Sequence, residues 1–178
     1  MDNFKHALAA GVAAVLILGA AGSAMAQDII HNQENAESPF ASSVIVPPGY
    51  TTYYISGSGP AVTNASAPKD SIESLGDTAT QTRTTLEGLK ARMDKLGISF
   101  GDVVQARVYL AADPMNGGKM NAAAMNEVWM KFFGTPAQPN KPARATIEAA
   151  NLVKPGALVE IEFMAAKKVK AVRHAKTK

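Results

Sequence analysis

Three stretches of this chain alternate residue by residue between two chemical characters, and that alternation limits the fold more than any other feature. In Val103–Leu110 one face reads Val104, Ala106, Val108, Leu110 and the other Val103, Gln105, Arg107, Tyr109. Residues 143–150 divide into Ala143, Ala145, Ile147, Ala149 and Arg144, Thr146, Glu148, Ala150. Residues 157–166 divide into Val159, Ile161, Phe163, Ala165 and Leu158, Glu160, Glu162, Met164. A period of two marks a strand with one apolar face. Two further segments carry the helical period. Residues 78–96, opened by Gly76-Asp77-Thr78 and closed by Gly97, place Leu86, Leu89, Met93 and Leu96 on one stripe. Residues 121–133, ended by Gly134 and Pro136, do the same with Met125, Val128, Trp129 and Phe132. Both stripes read as core.

Two amphipathic helices suffice to cover one face of one sheet, which predicts an α+β domain with both helices on a single side. The opposite face then carries Arg107, Arg144, Glu148, Glu160 and Glu162 among Val103, Tyr109, Leu158 and Met164. Large apolar groups mixed with charge belong at an interface. This face is therefore expected to pack against further copies of the chain, with charged pockets at the seams. Earlier strands are expected at 44–48 and 51–56, the second broken by Ser56-Gly57-Ser58-Gly59-Pro60. A polar loop then runs to about Ser74, and residues 27–38 read as a loose polar lead-in.

The 178 residues are enough for one domain with a real core, and they include no cysteine. Disulfides, thiolate nucleophiles and thiolate metal sites are thereby excluded. The three histidines fall at His6, His31 and His174, so the folded body is expected to lack the commonest general base and metal ligand. Chemistry is left to arginine, carboxylates, hydroxyls, backbone amides and water, with no cofactor and no metal expected. The net charge of +3 is uneven: Lys167, Lys168, Lys170, Arg173, Lys176 and Lys178 crowd residues 167–178, leaving twelve basic residues against fifteen acids elsewhere. The basic pI reports a flexible tail and no basic face for nucleic acid.

Residues 1–26 have the three parts of a secretory signal: a polar start with Lys5, an apolar run from Leu8 to about Ala21, and Ala24-Met25-Ala26 before the cleavage point. The run is too short for an anchor, which needs about 20 residues. The expectation is a mature chain that starts at Gln27, periplasmic or secreted, without a stable membrane anchor.

Two groups could carry chemistry. Arg144 follows Pro139-Asn140-Lys141-Pro142-Ala143; Pro142 favours an extended start, placing Arg144 at the mouth of its strand and aiming it at the mixed face. A guanidinium fork matches a carboxylate and could orient a small acid, or it could pair with Glu148 or Glu160. Glu160 and Glu162 share a strand face; one could deprotonate a water, or both could form salt bridges at a seam. Ser56-Gly57 could add a hydroxyl and an N–H at a strand end.

The ordered set Ser56-Gly57, Thr80-Gln81-Thr82-Arg83, Leu86, Gly101-Asp102-Val103-Val104, Val108-Tyr109-Leu110, Met125-Asn126-Glu127-Val128, Phe132-Phe133-Gly134, Pro142-Ala143-Arg144 and Val159-Glu160-Ile161-Glu162 resembles the reactive intermediate deaminase (Rid, YjgF-like) family. The likeness covers residues 40–166. It implies a chorismate-mutase-like α+β fold, a mixed sheet with two helices on one face, assembled as a homotrimer with three clefts between subunits. It also implies hydrolysis of 2-aminoacrylate and related imino acids to 2-keto acids and ammonia. By the family pattern Arg144 clamps the substrate carboxylate and Glu160 holds the attacking water. Ser56 and the Gly57 backbone line the cleft, and Asn126 supports it. Phe40 and Thr146 occupy cleft positions where the deaminating members usually carry Tyr and often Cys. The segment 113–120 is longer than the family's, and one extra residue lies in the turn at 153–157. The alternative reading is a non-catalytic trimer of the cell envelope that binds small carboxylates or protein partners in the same clefts.

Overall fold

The computed structural model describes residues 27–168; residues 1–26, where a secretory signal is expected, and the last ten residues, where a basic tail is expected, lie outside the described residues. The elements are β1 (Ile30–Asn32), β2 (Ser43–Ile45), β3 (Tyr50–Ser58), α1 (Ile72–Leu75), α2 (Thr78–Lys95), β4 (Val103–Leu110), α3 (Ala122–Trp129), β5 (Ala143–Glu148) and β6 (Val159–Lys168). The main sheet has strand order β3-β6-β4-β5. Its first two pairings are antiparallel and β4–β5 is parallel. That parallel step is made possible by α3, the crossover between β4 and β5. The result is the expected α+β class with a mixed sheet.

The two helices do what their stripes predict except at Leu96, which caps α2 and is half exposed because the helix ends at Lys95. α2 buries Leu86, Leu89 and Met93, and α3 buries Met125, Val128 and Trp129. They meet Ile55, Ala106, Val108, Leu110, Val159, Ile161, Phe163 and Ala165 in one core. Asp77 caps α2 by accepting from Thr80 N at 2.8 Å, and this contact lowers the Asp77 pKa. Gln81 is fully buried. Its Nε2 donates to Gly76 O (2.8 Å) and Gly156 O (2.9 Å), while its Oε1 accepts from Leu158 N (2.6 Å). One side chain therefore ties the turn before β6 to the start of α2, two residues ahead of Glu160.

Several expectations need correction. Val103 lies in the core, because a bulge between Val103 and Gln105 inserts one residue and turns Val103 to the helix side. Leu158 also joins the core, ahead of β6. Arg144, Thr146 and Glu148 pair with Ala106, Val108 and Leu110, so they stand on the helix side and not on the mixed face. The lead-in contains β1, paired antiparallel with β2. His31 belongs to the folded body, with Nδ1 bonded to Lys141 O at 2.7 Å. The strand expected at 44–48 is Ser43–Ile45, and the loop before α2 contains α1, held by a capping box between Ser71 and Ser74. α3 stops at Trp129, and Phe132 and Phe133 follow in turns. β6 runs through Lys168, so Lys167 and Lys168 are strand residues and not tail; Lys167 bonds to Gly97 O.

Candidate active site

Phe40, Asn126, Arg144 and Thr146, four of the residues proposed from the sequence, come together on the helix side of the sheet edge. β5 is the edge strand, and α3 overlies it. Asn126 and Trp129, one helical turn apart on α3, both reach down to Arg144. Asn126 Oδ1 accepts from Arg144 Nη2 at 2.6 Å, and Met125 Sδ lies 3.8 Å from Nη1. The guanidinium carbon sits 4.7 Å from the Trp129 ring centre and 5.2 Å from that of Phe40, within cation–π range of both.

The Phe40 position is set by backbone on either side. Trp129 Nε1 donates to Pro39 O at 2.8 Å and Ala41 N to Pro142 O at 2.9 Å, so the segment runs beside the start of β5. Buried Lys141 secures it further upstream by donating to Ala36 O at 2.6 Å. The Phe40 ring itself is 38% exposed.

Arg144 is a desolvated cation. Burial lowers its pKa to about 10, so it remains protonated at neutral pH. Among the described residues no carboxylate lies within ion-pair distance of it. Arg144 Nε and, two residues along the same strand face, Thr146 Oγ1 are buried without a hydrogen-bond partner among the described residues. Glu148 does not pair with Arg144; its Oε2 accepts from Met120 N at 2.7 Å. That contact instead fastens the long 113–120 loop, which is also held by Asp113 accepting from Thr78 Oγ1 at 2.7 Å.

Ser56, Gly57 and Glu160 form a second group on the other side of the sheet. Glu160 pairs with Tyr109 and Glu162 with Arg107, both on the face away from the helices. The Glu160 carboxylate overlies Gly57, where a Cβ would require Oε1 to move aside. Glu162 is occupied, accepting from Arg107 Nη1 at 2.6 Å and from Tyr109 OH at 3.4 Å, and the contact raises the Arg107 pKa. Between these residues the free face holds a cavity of about 300 Å³, lined by Tyr54, Gln105, Arg107, Glu162 and Met164 among others. Within one chain, then, Arg144 and Glu160 are not brought together. They stand on opposite sides of one sheet.

The sequence reading missed two contributors. Trp129 was assigned to the core alone; its spacing of three from Asn126 is the signal that both face Arg144. Lys141 offered no signal, since nothing local marks a lysine that will be buried against a distant carbonyl. Among the described residues no group of three or more His, Asp or Glu side chains is placed to hold a metal ion.

Comparison with known proteins agrees with this fold. Residues 30–167 match the family model described as Endoribonuclease L-PSP. A RutC family protein of Pyrococcus horikoshii is 40% identical over 100 residues, 56% of this chain and 71% of that protein. A Rid family protein of unknown function from Yersinia pestis superposes with TM-score 0.53 at 25% identity, covering 72% of this chain and 87% of that one. TdcF of E. coli, solved with bound serine, gives 0.51 at 26% identity, covering 74% and 97%. The chain belongs to the endoribonuclease L-PSP family, the YjgF/Rid family that its sequence resembles.

Proposed function

We propose that this protein hydrolyses enamine and imine intermediates of the 2-aminoacrylate type to 2-keto acids and ammonia, in clefts formed between copies in a homotrimer. The observation that carries this reading is the unpaired, desolvated guanidinium of Arg144, braced by Asn126 and two aromatic rings, with buried polar atoms beside it that lack partners. Such a group gains most from a bidentate carboxylate, with charge-assisted bonds contributing about 1.5–3 kcal/mol each. The serine bound to the E. coli relative carries the same group.

The division of the candidate residues over two sheet sides fits an intermolecular cleft. One copy contributes Phe40, Asn126, Arg144 and Thr146; its neighbour contributes Ser56, Gly57 and Glu160. Self-association through the free face is favoured by Tyr54, which is 78% exposed there beside charged and apolar neighbours. In such a cleft Arg144 orients the acid, and an enamine tautomerises to the imine. Glu160 then takes a proton from a water as its oxygen attacks the imine carbon and delivers that proton to the nitrogen, giving a carbinolamine. Transfer of the hydroxyl proton to the nitrogen through Glu160 lets the C–N bond break and the C=O form, releasing ammonia and leaving the keto acid. Imines are already electrophilic, so orientation plus one base, worth about 10²–10⁴-fold, provides the catalysis.

The test is direct. Imino acids generated by an amino-acid oxidase are followed for ammonia and keto-acid release with the purified protein. Faster release with the wild type and none with Arg144→Ala supports the deaminase. No acceleration across several imino acids rejects it, and calorimetric 2-ketobutyrate binding that disappears in Arg144→Ala would then identify a carboxylate binder. We further propose that residues 1–26 are an export signal removed after Ala26, giving a periplasmic or secreted protein. Mass spectrometry of the exported chain should find Gln27 at its N-terminus.

A further inference from the structure

The Ser56–Gly57 corner is braced from α2 by Arg92, a side chain to which no role has yet been given. On β3, Ile55 pairs with Phe163 and Ser58 with Ile161, so Ser56 and Gly57 together stand opposite the single Glu162. A bulge of this kind takes a residue out of the ladder, and strand pairing alone no longer fixes how its peptide is turned. Here the orientation is supplied by α2: Arg92 Nη1 donates to Ser56 O at 2.9 Å. Gly88, one turn earlier on the same helix, also faces this strand, its Cβ position lying 4.0 Å from Ser58 Oγ.

One consequence follows from peptide geometry. In a planar trans unit the C=O of one residue and the N–H of the next point in opposite directions. With the Ser56 carbonyl held toward α2, the Gly57 N–H is turned away from the helix, at the residue that the Glu160 carboxylate overlies. We propose that Arg92 is a positioning residue for this half of the cleft, fixing the Ser56–Gly57 peptide so that its N–H is presented beside Glu160. Where it concerns turnover the proposal rests on the deaminase reading; where it concerns the peptide it does not.

The full chain contains two Ser–Gly peptide units, Ser56–Gly57 and Ser58–Gly59. Labelling with carbonyl-13C serine and 15N glycine therefore leaves only these two visible in a carbonyl-filtered amide spectrum, the second serving as internal control. In Arg92→Ala the Ser56–Gly57 signal should shift or broaden while Ser58–Gly59 stays in place, and Arg92→Lys, which retains a donor, should return the signal part of the way. In the imino-acid assay Arg92→Ala should lower kcat about tenfold, the scale of one charged hydrogen bond, with KM changed by no more than about twofold because the carboxylate is held by the other half-site. An unmoved Ser56–Gly57 signal in Arg92→Ala overturns the proposal, as does a rise in KM with kcat unchanged. Should the wild type itself show no turnover, the deaminase reading fails and the labelled peptide still decides the role of Arg92.

Discussion

Two arginines on neighbouring strands, one on each side of the same sheet, have opposite surroundings. Arg107 on β4 is half exposed, with a carboxylate at 2.6 Å and a pKa raised by that partner. Arg144 on β5 is desolvated, set against two rings and an amide, with no acid near it among the described residues and a pKa lowered to about 10. Arg107 already has its counter-ion, and an exposed pair of this kind contributes little to stability. Arg144 is kept charged in a setting that penalises the charge. In the proposed function the counter-charge that Arg144 lacks is supplied by the carboxylate of the substrate.

The comparison can be broken in four ways. The largest expected effect is on ligand affinity. Arg144→Ala should weaken 2-ketobutyrate binding by about 30-fold or more, the loss that follows removal of one member of a buried charge pair, while Arg107→Ala should change it by no more than about twofold. Titration calorimetry on both variants checks this. Stability should move the other way. Arg144→Met removes a buried unpaired cation and keeps its bulk, so the unfolding free energy should rise by about 1–2 kcal/mol in denaturant melts. A decrease would mean that the ring and amide contacts outweigh desolvation.

The pH response has a definite sign. Folding lowers the Arg144 pKa, so the unfolded chain holds this proton more tightly, and the stability penalty from this group is present below pH 10 and relieved as pH rises through about 10. Carboxylate binding needs the proton, so affinity should stay level from neutral pH upward and fall as pH passes about 10. In Arg144→Lys the fall should come at a different pH. The smallest effect is expected from Arg107→Ala on folding, with the midpoint of the same denaturant melts left almost unmoved.

Much of this architecture was legible in the residues. The two helical stripes and the alternation of β4 and β6 identify the elements and the one-sided helix layer, and Phe40, Asn126, Arg144 and Thr146 stand out as candidates in the sequence, whereas Trp129 and Lys141 join them only in the fold. The sidedness of β5 was not legible. Its alternate positions are small alanines on one side and Arg144, Thr146 and Glu148 on the other, and the one large apolar residue, Ile147, lies on the free face and is exposed. Polarity therefore pointed the strand the wrong way; parallel pairing with β4 and the cover of α3 decide it. The Val103 assignment failed for another reason: a single inserted residue reverses the side of what precedes it, and nothing local in Val103-Val104-Gln105 announces the bulge. His31 was misplaced because its partner, the Lys141 carbonyl, is 110 positions away.

The sidedness of β5 also bears on the proposed function, which needs Arg144 of one copy to meet Glu160 of another because the two stand on opposite sides of the sheet within one chain. Subunit complementation tests this. Arg144→Ala and Glu160→Ala chains, each inactive alone, are unfolded together, reassembled and assayed for imino-acid hydrolysis. Random mixing restores one wild-type pairing in every four clefts, so the account predicts recovery to about a quarter of wild-type turnover. Mixed assemblies verified by native mass spectrometry that remain as inactive as their parents would contradict it.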